Sequence, residues 1–386
     1  MQRLLRGFIF TFCFLLGTIQ VHAESGAKLS KPSGFSRNKT EKPSIAKSFF
    51  GETEGQKIYQ YTLTNNKGMM VRVINFGGTI TEILTPDKNG KMGSVVLGFD
   101  SLKSYTGSMN ALLGACVGRV AGRISNKKFK LDGKEYNLTS NIHGGVLGFH
   151  KRIWEIMEIH GNNWIALQLT YFSKDGEEGY PGNLKVIVTY CLTNNNELKI
   201  DYTATTDKAT PVVLTNHTYF NLSGGMETKV VNTHLTIFAD KYLDATNDLI
   251  PTGKILKVKR TPFDFTHPRL IGKGIEEIKG GNGYDLTYVL HNTKGRLSLV
   301  ANAYEPSSGR TIQVYSTEPG LVFYTGNYLS DKIIGRNGKP MAKYGAFCVE
   351  TQHFPDSPNR PEFPNTILRP GETFKSQTIY KFSVHK

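Results

Sequence analysis

From about residue 51 to the C-terminus the chain consists of short stretches whose apolar residues recur at every second position. A period of two admits strands and excludes helices as the main building block. The alternation is plainest in LKVIVTYCL (184–192), ELKIDYTAT (197–205), GRLSLVANAY (295–304) and RTIQVYST (310–317). Turn dipeptides stand between such stretches, among them Asn89-Gly90, Asp132-Gly133 and Asn337-Gly338, and the 40 glycines suit a fold with many tight turns. Helical periodicity is not sustained anywhere in this region. Many short strands at close spacing predict an all-β protein, a large antiparallel β-sandwich in one domain over 51–386, and the lack of internal repeats argues against a propeller.

The beginning of the chain reads differently. Arg3 and Arg6 precede an apolar run from Phe8 to Ile19, and Val21-His22-Ala23 resembles a small-residue cleavage site. This predicts a secretory signal peptide over 1–23 and a secreted protein. The run is well short of the roughly 20 apolar residues a spanning helix needs, and no later segment approaches that length. Residues 24–50 are rich in Ser, Lys, Pro and Gly without an apolar period, which predicts a flexible basic arm outside the fold.

The net charge is +15. Leader and arm hold part of it, and the rest is spread without blocks of like charge or aromatic residues interleaved with basic ones, so nucleic acid is not an expected partner. Of four cysteines, Cys13 falls in the leader, and the remaining three are an odd number that makes no disulfide framework. Cys116, Cys191 and Cys348 lie in strand-like apolar runs and are expected to pack as small hydrophobes.

The stretch TPVVLTNHTYFNLSG (210–224) reads as a buried strand ending in a turn. Alternation puts His217 on one side with Thr215 and Tyr219, and turns Asn216, Thr218 and Phe220 to the other. A buried polar group left unpaired costs about 1–3 kcal/mol, so these residues need partners or a function. Alone, a strand histidine reads most simply as a core residue bonded to backbone. A second stretch, GAFCVETQHFPDSPN (345–359), sets Glu350 in a strand with Cys348 and Gln352 on its face, and Glu350 alone reads as an exposed or ion-paired carboxylate. Arg123 in GRVAGRI (118–124) likewise reads as a surface or ion-paired arginine, and the glycines there form no phosphate loop because no Gly-Lys-Ser/Thr follows. His143 in NIHGGVLGF (141–149) is a turn histidine beside glycines that permit close backbone approach, and Asp285 in GNGYDL (281–286) is a carboxylate entering an apolar strand.

Six motifs, NHTYFNLSG, IHGGVLGFHKRIWE, DGEEGYPGNL, GYDLTYVL, FYTGNYL and ETQHFPDSPN, together resemble the galactose mutarotase (aldose 1-epimerase) family, from about residue 55 to the C-terminus. The resemblance implies a β-sandwich of the galactose mutarotase-like type with a sugar cleft on a concave face. It also implies an aldose 1-epimerase, an isomerase that interconverts the α and β anomers of free hexoses such as glucose and galactose without metal or other cofactor. A pyranose opens when a base takes the proton of the C1 hydroxyl while an acid protonates the ring oxygen, and the roles reverse on reclosure. By resemblance Glu350 is the general base and His217 the general acid, Arg123, His143 and Asp285 hold sugar hydroxyls, and Tyr219, Phe323 and Trp154 pack around the ring. Two positions depart from the family pattern. Ala121-Gly122-Arg123 stands where many members have Ala-Asn-Arg, and Val322 stands where some have glutamine. Each missing hydrogen bond would weaken binding by about 0.5–1.5 kcal/mol, which bears on affinity and sugar preference.

Two other readings follow from the same residues. A secreted carbohydrate-binding protein that kept the fold without turnover is suggested by Gly122 and Val322. A metal-dependent hydrolase would draw on His143, His217, His353, Asp285 and Glu350, although their spacing matches no compact ligand motif. The expected partner is a small aldose sugar, and both a monomer and a homodimer are compatible with the sequence. Sequons occur at Asn38, Asn137, Asn216 and Asn221, with glycans expected at Asn38 and Asn137 and not at the two that flank His217.

Overall fold

The computed structural model describes residues 42–226, 228–278, 283–291 and 295–385. The expected leader, Cys13, the Asn38 sequon and the arm up to residue 41 lie outside them, as do Gly281 and Asn282 of the GNGYDL motif. Regular structure among the described residues is almost all strand, with one short α-helix, Leu102–Thr106. No described helix is long and apolar enough to cross a membrane.

Three antiparallel sheets carry the architecture. The largest has nine strands, running in space as Arg269–Leu270, His234–Ile237, Ser298–Tyr304, Arg310–Ser316, Phe374–Val384, Glu197–Thr206, Leu184–Thr193, Trp164–Ser173 and Glu155–His160. Its central strands show why the period of two was informative. Leu184, Val186, Val188, Tyr190 and Leu192 are buried while Lys185 faces solvent, and Leu198, Ile200, Tyr202 and Ala204 repeat the pattern next door. These side chains share one hydrophobic cluster with Leu63, Val71, Val73 and Ile83 of an N-terminal five-stranded sheet. Tyr288, Leu321, Phe323 and Val349 of a second five-stranded sheet join the same cluster. The nine-stranded sheet is thus one layer of the sandwich and packs its inner face against the other two sheets.

The fold begins earlier than the composition suggested. Ser44–Thr53 is an edge strand that pairs with Gln56–Thr64, so residues 44–50, expected in the arm, belong to the sandwich. The turn between the two strands is Glu54-Gly55, both at positive φ (52° and 69°), as a two-residue hairpin of matching twist requires. Ile45 packs on the main core and Phe50 on a second cluster, whereas the other residues of 44–49 are largely exposed. An edge strand buries only that little, which is why its Ser and Lys content looked like coil.

The second five-stranded sheet runs Pro251–Lys257, Lys241–Ala245, Asp285–Val289, Gly320–Tyr324 and Cys348–Gln352. Its last three strands carry Asp285, Tyr324, Glu350 and Gln352, which line the cavity described below.

Candidate active site

Every residue from Thr210 to Leu222 is buried, yet only Thr210–Pro211 and Thr215–Asn216 form strand pairs. The single strand expected here is broken because its backbone changes partner every few residues. The N–H of Val212 goes to Thr366 O, that of Val213 to Arg119 O, that of His217 to Ala115 O, that of Phe220 to Phe347 O and that of Asn221 to Val95 O. Its polar side chains are also satisfied. Thr215 Oγ1 donates to Thr351 O at 3.0 Å, Asn216 Nδ2 to Gly114 O at 2.9 Å and to Tyr190 Oη at 3.3 Å, and Asn221 Nδ2 to Gly345 O at 2.8 Å. Tyr190 Oη in turn donates to Gly78 O at 2.7 Å, tying the nine-stranded sheet to this segment. Strand-like alternation persists within it: His217 and Tyr219 line a cavity of about 230 Å³, and Phe220 enters the core.

Glu350 lies beside His217 on the cavity wall, with His217 Nε2 3.6 Å from Glu350 Oε1. Register in the sheet sets what surrounds the carboxylate. Thr287, Val322 and Glu350 stand side by side across three strands, and Asp285, Tyr324 and Cys348 form the adjacent row. Cys348 Sγ is 3.6 Å from His217 Nδ1. Tyr219 stacks on the His217 ring (centroids 4.9 Å apart, planes 13° apart), held by its hydroxyl donating to Ala111 O at 2.9 Å. Tyr324 meets the same imidazole edge-on at 6.4 Å. A histidine clamped this way has one available orientation.

Arg123, His143 and Asp285 also line the cavity. His143 has φ of 51° and makes a backbone bond to Gly122 O, while Gly122 N–H donates to His143 Nδ1 at 3.4 Å. An accepting Nδ1 leaves the neutral ring's proton on Nε2. Its ring lies 5.4 Å from that of His217. Two expected ring-packing residues are elsewhere. Phe323 is fully buried against Tyr284 and Phe265, because it lies between Val322 and Tyr324 and so points to the opposite face. Trp154 packs in the main core with Phe149 and Tyr171 and donates its indole N–H to Phe149 O. Parity also removes His353 from the cavity, where it pairs instead with Glu318 at 2.6 Å, so the five-residue metal set does not converge. Among the described residues His217, Cys348 and Glu350 are the potential ligands that cluster, all within 4.8 Å of one another.

Burial dominates the electrostatics. It pushes His217 down to about 4 and holds Glu350 well above the usual carboxylate range, where the nearby Asp285 charge adds to the effect. Asp285 itself is pushed up to about 6 by burial, against the pull of the Arg123 guanidinium. Burial, then the neighbouring His217, keeps His143 well below the ordinary histidine value. Burial thus shifts both His217 and Glu350 toward their uncharged forms.

Tyr324 lies inside the FYTGNYL motif without being singled out there, whereas Leu243, Leu249 and Pro251 carry no motif: they are brought in by the hairpin of the neighbouring strands, which leaves no local mark in the sequence.

A sequence model described as Aldose 1-epimerase matches residues 59–381. The chain belongs to the aldose 1-epimerase family. Among its relatives in that family, human galactose mutarotase is 41% identical over 348 residues, covering 88% of this chain and 99% of the human one. The aldose 1-epimerase of Escherichia coli K12 is 36% identical, covering 85% and 96%. Among solved structures, a galactose 1-epimerase from Lactobacillus acidophilus superimposes with a TM-score of 0.78 at 28% identity, over 89% of this chain and 100% of that one. A GalM/aldose epimerase homologue from C. elegans gives 0.77 at 29% identity, over 88% and 100%. The two solved structures share the sheet-rich fold described above.

Proposed function

We propose that the protein is a mutarotase, interconverting the α and β anomers of free aldoses such as glucose and galactose. The observation that carries this reading is the buried His217–Glu350 pair, 3.6 Å apart and lining one cavity, in a chain of the aldose 1-epimerase family. Ring opening needs one group to take the proton of the C1 hydroxyl and another to give a proton to the ring oxygen. Burial pushes each of these two residues toward its uncharged form, and the proposed reaction needs one proton shared by the pair. With that proton on His217, Glu350 accepts from O1 as the imidazolium donates to O5. The aldehyde then forms with Glu350 protonated and His217 neutral, which is the starting arrangement for reclosure. Rotation about C1–C2 between the two events exchanges the anomers.

Arg123, His143 and Asp285 are assigned to the sugar hydroxyls, and the flat face of Tyr219 supports the acid rather than the sugar. Supporting this division, Tyr219 stacks under the imidazole and spends its hydroxyl on Ala111. The test is polarimetry of freshly dissolved α-glucose and α-galactose with the purified protein. Acceleration over buffer is expected, with Glu350→Gln and His217→Asn each slower by about 10²–10⁴-fold. A folded wild type that binds sugar but is no faster than buffer would overturn the enzymatic reading.

Export completes the proposal: residues 1–23 act as a leader and Asn137 carries a glycan. Asn137 is exposed, whereas Asn216 and Asn221 are buried with their amides engaged. Glycopeptide mapping of the protein secreted from a eukaryotic host should find sugar on Asn137, and modification of Asn216 would contradict the site.

A further inference from the structure

We infer that Gln352 is a sugar-binding residue of this cavity, accepting a hydrogen bond from the C2 or C3 hydroxyl and so setting which aldoses are turned over; this rests on the mutarotase reading. Gln352 lies two residues beyond Glu350 on the same strand and face, about 7 Å along it, and lines the same cavity. Its side chain is fully buried. The amide orientation is determined by chemistry: Nε2 donates to His353 O at 3.2 Å, and exchanging the two ends would set one carbonyl oxygen against another. That leaves Oε1 as the end directed elsewhere, and no protein group donates to it. Glu350 Oε2 is the other carboxyl or amide oxygen of the cavity in that condition. A buried acceptor without a donor is unfavourable, so two such oxygens on one strand form a recognition element for a ligand with two donors.

The surroundings restrict where the donor comes from. Leu243, Val322 and Pro355, which line the cavity with Gln352, have no side-chain donor. Gly122 approaches from above with φ of +77°, and a Cβ there would lie 3.1 Å from Gln352 Nε2 and 3.0 Å from Pro355 Cγ. Directly across the sheet from Gln352 is Gly320, which likewise adds no side chain. With Glu350 committed to the anomeric hydroxyl, Oε1 is matched to a hydroxyl one or two carbons further round the ring. An oxygen that can only accept requires O–H at that carbon and rejects the deoxy sugar, because C–H leaves it unpaired.

The experiment compares glucose, 2-deoxyglucose and 3-deoxyglucose with the full-length wild type and with Gln352→Met, which keeps side-chain length and removes the acceptor. The wild type is expected to lose about 10–100-fold in kcat/KM on one of the two deoxy sugars, mainly through KM, and the Met variant to process that sugar and glucose within about threefold of each other. Equal rates on all three sugars in the wild type, or discrimination that survives in Gln352→Met, would overturn the assignment. If Gln352→Met does not fold, Gln352→Leu takes its place, because a wild-type loss on a deoxy sugar can also come from Arg123, His143 or Asp285. Calorimetric binding of the same sugars reads the contact even without turnover, so failure of the mutarotase reading shows up separately, as glucose that binds but is not interconverted.

Discussion

In the proposed reaction His217 and Glu350 share one proton, which predicts a kinetic signature. Removing either residue is expected to cost about 10²–10⁴ in kcat, while the double variant Glu350→Gln/His217→Asn should be little worse than the poorer single one, because neither acts alone. Single-turnover polarimetry on the three proteins checks it, and additive losses would show independent roles. Activity against pH should be bell-shaped, falling on the acid side as the pair takes a second proton and on the alkaline side as it loses its only one. At this scale the motifs bring six of the named residues together and misplace Phe323, Trp154 and His353. His217, Glu350, Arg123, His143, Asp285 and Tyr219 all line one cavity. Phe323 was misplaced because a strand's two faces cannot be told apart by composition when both are apolar: Val322 and Tyr324 face the sugar side and Phe323, between them, faces the core.

At the level of elements, the site depends on contacts between sheets. Tyr190 stands on the nine-stranded sheet, yet its hydroxyl donates to Gly78 O and receives Asn216 Nδ2, one residue before His217. Tyr190→Phe is expected to destabilise by about 1–3 kcal/mol by orphaning buried partners, read as a lower urea midpoint with unchanged slope. The edge strand Ser44–Thr53 gives a second test. Deleting residues 44–53 uncovers the backbone edge of Gln56–Thr64 and removes Ile45 and Phe50 from their clusters, so a lower melting temperature and concentration-dependent association are expected. Strands with clean alternation, such as Leu184–Thr193, were readable from the sequence; an edge strand that buries little was not, nor was a buried segment that pairs with a new neighbour every few residues.

For the molecule as a whole, the buried titratable groups pull stability in opposite directions with pH. His217 and His150, both pushed down to about 4, and His143, also lowered, contribute stability that is present above about pH 6.5 and lost as pH falls toward their folded values. His353, raised by Glu318, contributes the reverse, holding below about pH 6.5 and fading above it. Asp285, pushed up to about 6 by burial, costs stability increasingly as pH rises from about 4 to about 6, and the cost is constant above that. Asp285→Asn should therefore raise the unfolding free energy at pH 8 by about 1–3 kcal/mol, with no gain at pH 3.5, while sugar affinity drops. Thermal melts at the two pH values check the sign, and a gain that is larger in acid would contradict it.

The run from Thr210 to Leu222 has one more consequence. Segments held by a single neighbour fray first, but this one is fastened in turn to Thr366, Arg119, Ala115, Phe347 and Val95 and offers no free edge. The amide protons of Val212, Val213, His217, Phe220 and Asn221 are thus expected to exchange with deuterium only when the entire sandwich comes apart. A protein built this way has no half-open form that keeps its shell and loses its catalytic centre, so heat inactivation and global melting fall on one curve.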